Sequence, residues 1–563
     1  MGIFKRFNKK AYKNNEVFPD EIFLDSHNLP QFDRHNLEGH IEKTISKRAV
    51  YAMGIFFAFV FLVFAGKAWV LQVLQGTAYA EKSENNRLDH ELVFAERGLL
   101  YDRNRESLAW NIPSQNDAFT RRMYVATSGF AHALGYVSYP KKDKQGNYFD
   151  DELIGKSGVE AYYNSDLQGK NGIKITETNA LQNKVSESVL RPPEHGSPLH
   201  LSIDNRIQAK LYEEMKGLAE RVGFQGGAAA IMNIHTGEMI AYTSFPEFSS
   251  HVMTEGEDAT AVKGYLTDSR NVFINRLVDG LYTPGSIVKP FVAIGALEEK
   301  TIDPGTFIIS TGQIEVKNPY NPDQVSVFTD WKAHGAVDMR RAIAVSSNVY
   351  FYEVGGGFGN IKGLGITKLE KYMRMFGFGS PLSGFFEGKA GTVPNPEWKK
   401  QNFDGDDWRL GDTYFTSIGQ YGFQTSPLQA LRAVAAISNG GKLIEPTILK
   451  SDGGEAASST QLNISQSNLK VIHEGMRLGA IEGTAKALNV PYVEIAAKTG
   501  TAELGVSKAK VNSWNMGFWP YRNPKYAFLV MMEKGDRTNT IGSVYVMRQL
   551  FDWMHIYAPE YLN

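Results

Sequence analysis

The chain has 563 residues, more than one ordinary domain, and its 42% hydrophobic and 12% aromatic content is enough for a large core. Lys and Arg number 60 against 61 Asp and Glu, so the formal net charge is −1 and no global basic field exists to draw nucleic acid, which excludes that class of partner. Cysteine is absent, which rules out disulfides, thiolate metal sites and a cysteine nucleophile.

Residues 1–48 mix charge, Asn and Pro with little apolar periodicity and read as a mostly unstructured cytoplasmic tail. Ala49 to Gly66 is an uncharged apolar run, and the apolar character resumes after Lys67 as far as Leu74, which predicts one membrane-spanning helix over 49–74. Lys67 can stretch to headgroup level and Trp69 suits the interface, so the hydrocarbon core is expected to end near residue 66. Lys43, Lys47 and Arg48 flank the start of the run, with Lys5, Arg6, Lys9, Lys10 and Lys13 upstream. This basic excess puts the N-terminus in the cytoplasm and the chain beyond about residue 70 outside, extracytoplasmic or periplasmic. Ala78-Tyr79-Ala80 imitates a signal-peptidase site, but so long a leader and apolar run read as an uncleaved anchor in the cytoplasmic membrane.

From 75 to 198 the sequence is polar and turn-rich, with short strand-like pieces such as Gly172–Thr178, and ends in the Pro/Gly joint Arg191–Pro198. The main boundary falls there, and a second block, 199–563, follows. Within it Gly227–Ile234 and Met239–Ser244 read as a hairpin, and Ser513–Trp519 with Tyr526–Met532 as a second strand pair. Between them Met339–Val345 and Pro427–Ile437 carry helical periodicity. Strands, then helices, then strands predict an antiparallel sheet with helices packed on it.

Three short elements in this block carry chemistry. Ser286-Ile-Val-Lys289 follows Pro284-Gly285 and opens the apolar run Ile287, Val288, Phe291, Val292, Ile294, Leu297, which predicts a buried helix with Ser286 in its first turn. On a helix residue i+3 shares the face of residue i, so Lys289 is placed as a base for the Ser286 hydroxyl. Its apolar neighbours favour a partly desolvated lysine with a lowered pKa. Ser-x-x-Lys alone means little, since about two copies are expected by chance in such a length. Ser138/Lys141, Ser467/Lys470 and Ser507/Lys510 also fit the spacing, but they sit in polar or turn-rich sequence. Ser346-Ser347-Asn348 supplies a hydroxyl that can relay a proton and an amide that can hold a carbonyl or the lysine, although helix capping explains such a triplet equally well. Lys498-Thr499-Gly500-Thr501, after the strand-like Tyr492–Ala497, offers a cation and hydroxyls for a carboxylate, and a glycine beside which a substrate backbone can lie.

In this order the three elements resemble those of the penicillin-binding proteins. The flanks extend the likeness: Arg97-Gly-Leu-Leu-Tyr-Asp-Arg-Asn104, Gly155-Lys-Ser-Gly-Val-Glu160, Leu167–Lys170, Leu201–Asp204, Asn275-Arg276, Ser417-Ile-Gly-Gln420, Thr425–Gln429 and Glu482-Gly-Thr-Ala485. It covers about residues 90 to 540 and looks like class B, the monofunctional transpeptidases. The fold so implied is α+β, a penicillin-binding/serine β-lactamase-like transpeptidase domain over 199–563 with an antiparallel sheet, flanking helices and a helical subdomain. It would stand on an extended pedestal of dimerisation type over 75–198, behind one N-terminal transmembrane helix.

The resemblance implies that Ser286 is acylated by the penultimate D-Ala of a peptidoglycan stem, that Lys289 takes its proton, and that Ser346 and Asn348 complete the proton and substrate network. Lys498 and Thr499, beside Gly500, would hold the terminal carboxylate or its β-lactam counterpart, and the backbone N–H groups of Ser286 and Thr501 would form the oxyanion hole. Neither cofactor nor metal is expected, since His334 lacks clustered ligands. Two positions depart from the family pattern: Arg105 and Tyr421 each stand where glycine is usual, with Gly422 one place after the second. The implied partners are stem peptides, β-lactams, the lipid bilayer, a SEDS-family glycosyltransferase and other elongation or division proteins, because no glycosyltransferase module is found between the anchor and the transpeptidase block. The rival functions are a β-lactam-binding sensor or scaffold, which would acylate without cross-linking, and a D,D-carboxypeptidase or β-lactamase, which needs a deacylating water for which no Glu is assignable.

Overall fold

The computed structural model describes residues 46–79, 88–178, 184–318, 321–451, 453 and 457–563. The tail expected over 1–48 thus falls almost wholly outside the described residues. The chain divides into two compact units, Met1–Asp89 and His90–Asn563.

In the first unit Lys47–Trp69 is helical, and a wider helical turn over Val70–Leu74 continues it. Ser46 caps it, its Oγ accepting from the Ala49 N–H at 3.2 Å. Lys47–Leu74 spans 28 residues and contains an 18-residue stretch of mean hydropathy 2.3, long and apolar enough to cross a membrane.

The second unit is built on a five-stranded antiparallel sheet. Its strands are Gly226–Asn233 (β1), Met239–Phe245 (β2), Ala496–Leu504 (β3), Lys510–Trp519 (β4) and Tyr526–Asp536 (β5), in the order β2-β1-β5-β4-β3. The two strand pairs read from the sequence are therefore joined through β1 and β5. Side-chain alternation decides the layers. Ala228, Ala230, Met232, Leu529 and Met531 join one core, shared with helices Lys289–Glu298 and Pro427–Ser438. Ala229, Ile231, Phe528, Val530 and Met532 join the other, under helices Asn205–Val222 and Ser543–Tyr557. Both faces are covered, and β3 is left as an edge beside the Ser286 turn.

The segment before the sheet is tied into the same unit by buried polar groups. Glu160, fully buried, accepts from Arg97 Nε at 2.5 Å and from Arg122 Nε at 2.8 Å. Asp102 accepts from the Asn104 and Glu106 N–H groups, while Asp204 accepts from Asn104 Nδ2 and the Tyr561 hydroxyl. Leu199–His200 runs parallel to Leu100–Tyr101. The strand read at Gly172–Thr178 is present and pairs with Lys184–Arg191.

Candidate active site

Gly285, at φ +57°, starts a 3₁₀ turn over Gly285–Val288 that runs into helix Lys289–Glu298. Every residue of that helix from Lys289 to Leu297 is buried, which is why its sequence is apolar all round. Pro290 fits because a first-turn N–H has no intrahelical acceptor to lose. In a 3₁₀ turn residues i and i+3 eclipse, so Ser286 and Lys289 lie on one side. The Lys289 N–H donates to the Ser286 carbonyl, but no hydrogen bond joins their side chains. The Lys289 amine donates instead to the Ser346 carbonyl at 2.8 Å and Asn348 Oδ1 at 2.7 Å, with Ser346 Oγ at 3.4 Å. Sequence spacing placed the lysine beside its own serine, but the acceptors that hold it come from another helix pair.

That pair is Met339–Val345 and Asn348–Gly356. Ser346 ends the first in the left-handed region, φ +61°, a costly conformation for a residue with a side chain. Ser347 caps the second, accepting from the Tyr350 N–H at 3.3 Å. Capping thus belongs to the middle serine and leaves the outer two residues facing Lys289. Ser346 Oγ also accepts from Lys498 Nζ at 2.8 Å, and Lys498 donates to the Thr499 carbonyl at 2.7 Å. Two buried lysines therefore converge on one hydroxyl. Burial pulls the Lys289 amine down to about 7, the Asp330 carboxylate acting in the opposite sense. Lys498 lies well below its ordinary value, through burial first and the neighbouring Lys289 charge second.

The Lys-Thr-Gly-Thr element lies inside β3, which begins at Ala496 rather than in the run from Tyr492. A Cβ on Gly500 would lie 2.9 Å from Ile287 Cγ2 and 3.0 Å from the Pro284 carbonyl. A Cβ on Gly285 would lie 2.9 Å from the Thr501 carbonyl. The glycine expected to admit a substrate backbone thus admits the chain's own Ser286 turn, and these two glycines set how closely strand and turn approach. The Thr499 hydroxyl donates to Thr484 Oγ1 at 2.5 Å, which brings the Glu482–Ala485 segment to the site. Thr501 is exposed, opposite Ser513 of β4. Of the spacing mimics, Ser467, Lys470, Ser507, Lys510 and Lys141 are exposed and only Ser138 is half-buried.

Asp330 was not singled out by the sequence. Its carboxylate accepts from the Ser347 hydroxyl at 2.8 Å, the Val349 N–H at 3.0 Å and the Ser310 hydroxyl at 3.3 Å, so it fixes the start of the Asn348 helix. These three partners lie 17 to 20 residues away along the chain, and the local signal is a lone acid between Thr329 and Trp331. His334 Nε2 is 3.7 Å from Asp330 Oδ1, and burial lowers its pKa. Among the described residues no cluster of three or more His, Cys, Asp or Glu could hold a metal.

The family model described as the penicillin binding protein transpeptidase domain matches residues 227–551, and that of the penicillin-binding protein dimerisation domain matches 115–201. The chain belongs to the class B penicillin-binding proteins, a family of peptidoglycan D,D-transpeptidases. The peptidoglycan D,D-transpeptidase MrdA of Acinetobacter baumannii is 30% identical to this penicillin-binding protein over 463 residues, 77% of this chain and 66% of that relative's length. The solved complex between penicillin-binding protein 2 and MreC from Helicobacter pylori matches with a TM-score of 0.68 at 26% identity, covering 84% of this chain and 99% of that one. A solved peptidoglycan synthase complex, described as coordinating polymerization and crosslinking, matches with a TM-score of 0.69 at 25% identity over 89% of this chain and 97% of that one. The α+β class expected from the sequence, a transpeptidase domain behind a pedestal, is the fold these relatives share.

Proposed function

We propose that the protein is a membrane-anchored peptidoglycan D,D-transpeptidase that cross-links stem peptides through an acyl-enzyme on Ser286. The observation that carries this reading is the buried Lys289 amine, brought down to about 7 beside Ser286 and held by Ser346 and Asn348. As free amine, Lys289 takes the Ser286 proton while Oγ bonds to the penultimate D-Ala carbonyl carbon. Its present hydrogen bonds leave it to turn toward Ser286 when substrate enters, a tightening common at catalytic sites on binding. The backbone N–H groups of Ser286 and Thr501 receive the developing oxyanion. Lys498 and Thr499 hold the terminal carboxylate, and Asn348 keeps the lysine and the substrate amide in register. The Ser346 hydroxyl hands a proton to the departing D-Ala amine and takes the one held by Lys289, which is again a free amine. The amine of a second stem then attacks the acyl carbon, giving its proton to Lys289, which returns it to the Ser286 oxygen as that bond breaks.

In this reading 75–198 is the pedestal, 199–563 the transpeptidase domain, and the basic flank at Lys47 and Arg48 keeps the N-terminus cytoplasmic. The solved complexes, one with MreC and one of a peptidoglycan synthase that couples polymerization to crosslinking, support an MreC-type scaffold and a polymerising partner, for which the family resemblance suggests a SEDS-family glycosyltransferase.

Ser286→Ala is expected to abolish labelling of the full chain by a fluorescent penicillin, and undiminished labelling of that variant would refute the assignment. The wild-type enzyme, given a stem pentapeptide and an amine acceptor, should yield the cross-linked dimer. Release of free D-Ala with no dimer would point to a carboxypeptidase, and acylation with no turnover to a sensor. The acylation rate should be half-maximal near pH 7, where Lys289 is half deprotonated, and fall about tenfold per pH unit well below it. A rate flat from pH 5 to about 8 would remove Lys289 as the base.

A further inference from the structure

The loop after helix Leu410–Ser417 braces the nucleophile's turn from behind. The Gly285 N–H donates to the Gly419 carbonyl at 3.0 Å, and Tyr282 and Thr425 exchange both backbone hydrogen bonds at 3.0 Å. The contact at Gly419 is so close that a Cβ there would lie 2.2 Å from the Gly285 carbonyl oxygen. Between these two points the chain turns through Tyr421 and Gly422, both left-handed, at φ +62° and +76°. Gly422 needs to be glycine, since a Cβ there would meet the Trp398 ring at 2.2 Å. Tyr421 does not obtain its backbone conformation so cheaply, because a Cβ crowds the carbonyl in the left-handed region.

Its side chain is held on several sides. The ring lies parallel to Phe403, at 7° and 6.1 Å between centroids, and meets Trp398 and Trp408 edge to face at 5.9 and 5.6 Å. Its hydroxyl lies against the Asp412 carboxylate and the Lys399 ammonium. Lys399 is itself buried and donates to Asp412 Oδ2 at 2.8 Å and to the Asp407 carbonyl at 2.6 Å. A strained backbone persists only where its surroundings over-determine it, and here three rings and an ion pair do so.

We propose that Tyr421 is a positioning residue for the nucleophile: its caged ring locks the 421–422 turn and, through the Gly419 carbonyl, the Gly285–Ser286 turn against β3. Tyr421 touches neither substrate nor the reacting atoms. A shift of the Ser286 turn should therefore slow acylation at saturation and leave initial binding of the acylating agent unchanged. The inference rests on Ser286 being the acylated residue.

The test is saturation kinetics of acylation by a fluorescent penicillin with the full chain in detergent, for the wild type, Tyr421→Ala, Tyr421→Gly and Tyr421→Phe. The limiting rate should fall about tenfold in the Ala and Gly variants, a loss in keeping with a sub-ångström misplacement, with the half-saturating concentration unchanged. Tyr421→Phe keeps the ring and should recover most of the rate. Tyr421→Gly relieves the backbone strain and removes the ring, so a wild-type limiting rate in that variant would overturn the proposal. Phe403→Ala covers the case in which the Ala and Gly variants misfold, because Phe403 is half-exposed and its truncation leaves the loop backbone in place. There a fall of about threefold is expected, and no fall would equally overturn the proposal. A wild-type chain that takes no label, or a Ser286→Ala chain that still does, would instead overturn the acyl-enzyme reading itself.

Discussion

Lys289→Met is expected to lower the rate of Ser286 acylation by about 10³-fold at pH 8, in the middle of the range for loss of a general base. Methionine keeps the stem volume among Phe351 and the helix neighbours and removes the amine that the Ser346 carbonyl and Asn348 Oδ1 share. Lys289→Arg makes the sharper comparison. It retains a positive charge and hydrogen-bond donors, but a guanidinium does not give up its proton in this pH range. If proton abstraction is the function, the Arg and Met variants should be inactive alike. Substantial acylation by the Arg variant would mean that charge, and no free base, is what the site requires. Rates from stopped-flow fluorescence with a labelled penicillin would distinguish the two.

The second large effect is on stability and lies away from the chemistry. Glu160→Ala should destabilise the fold by about 3–5 kcal/mol, because it leaves two buried guanidiniums without their shared carboxylate. Arg97 also donates to the Leu153 and Glu160 carbonyls, and Arg122 to Asn111 Oδ1, whose amide returns to the Arg97 carbonyl. None of these acceptors replaces the lost charge. Burial by itself would raise the Glu160 pKa, but the Arg122 and Arg97 charges outweigh it and hold it below the ordinary 4.5. The sign follows: the carboxylate's contribution is complete above pH 4.5 and is lost as the pH falls through the depressed folded value. A downward shift of the urea midpoint in the variant at pH 7, shrinking toward acid pH, would bear this out. Equal midpoints at pH 7 would mean that the triad contributes no net stability.

The sheet was legible because its strands are short apolar runs bounded by turn residues, as strands buried on both faces must be. Ala228 and Ala230 point one way and Ala229 and Ile231 the other, and helices cover both sides. Ser286 stood apart from its mimics because Pro284-Gly285 and the apolar run after it describe a turn entering a buried helix. What the spacing did not reveal was lateral. Arg97 and Glu160 each lay in a recognisable motif, but 63 residues separate them and neither motif says that its charge is buried against the other. Asp330 escaped notice for the same reason, since its carboxylate acts on a helix start from another segment. Lys289 was read against its own helix, and a carbonyl and an amide from Ser346 and Asn348 decide where its amine points.

The strained Ser346 has a consequence that counting valences makes plain. A hydroxyl oxygen offers two lone pairs and a single hydrogen. Lys498 approaches one lone pair at 2.8 Å and Lys289 approaches the other at 3.4 Å, and no described residue accepts the hydrogen. With both amines donating to the oxygen, the Ser346 O–H has one vector left, away from both lysines. The group is a donor by subtraction, fixed in that polarity before any ligand arrives, so a substrate atom that meets it must bring an electron pair.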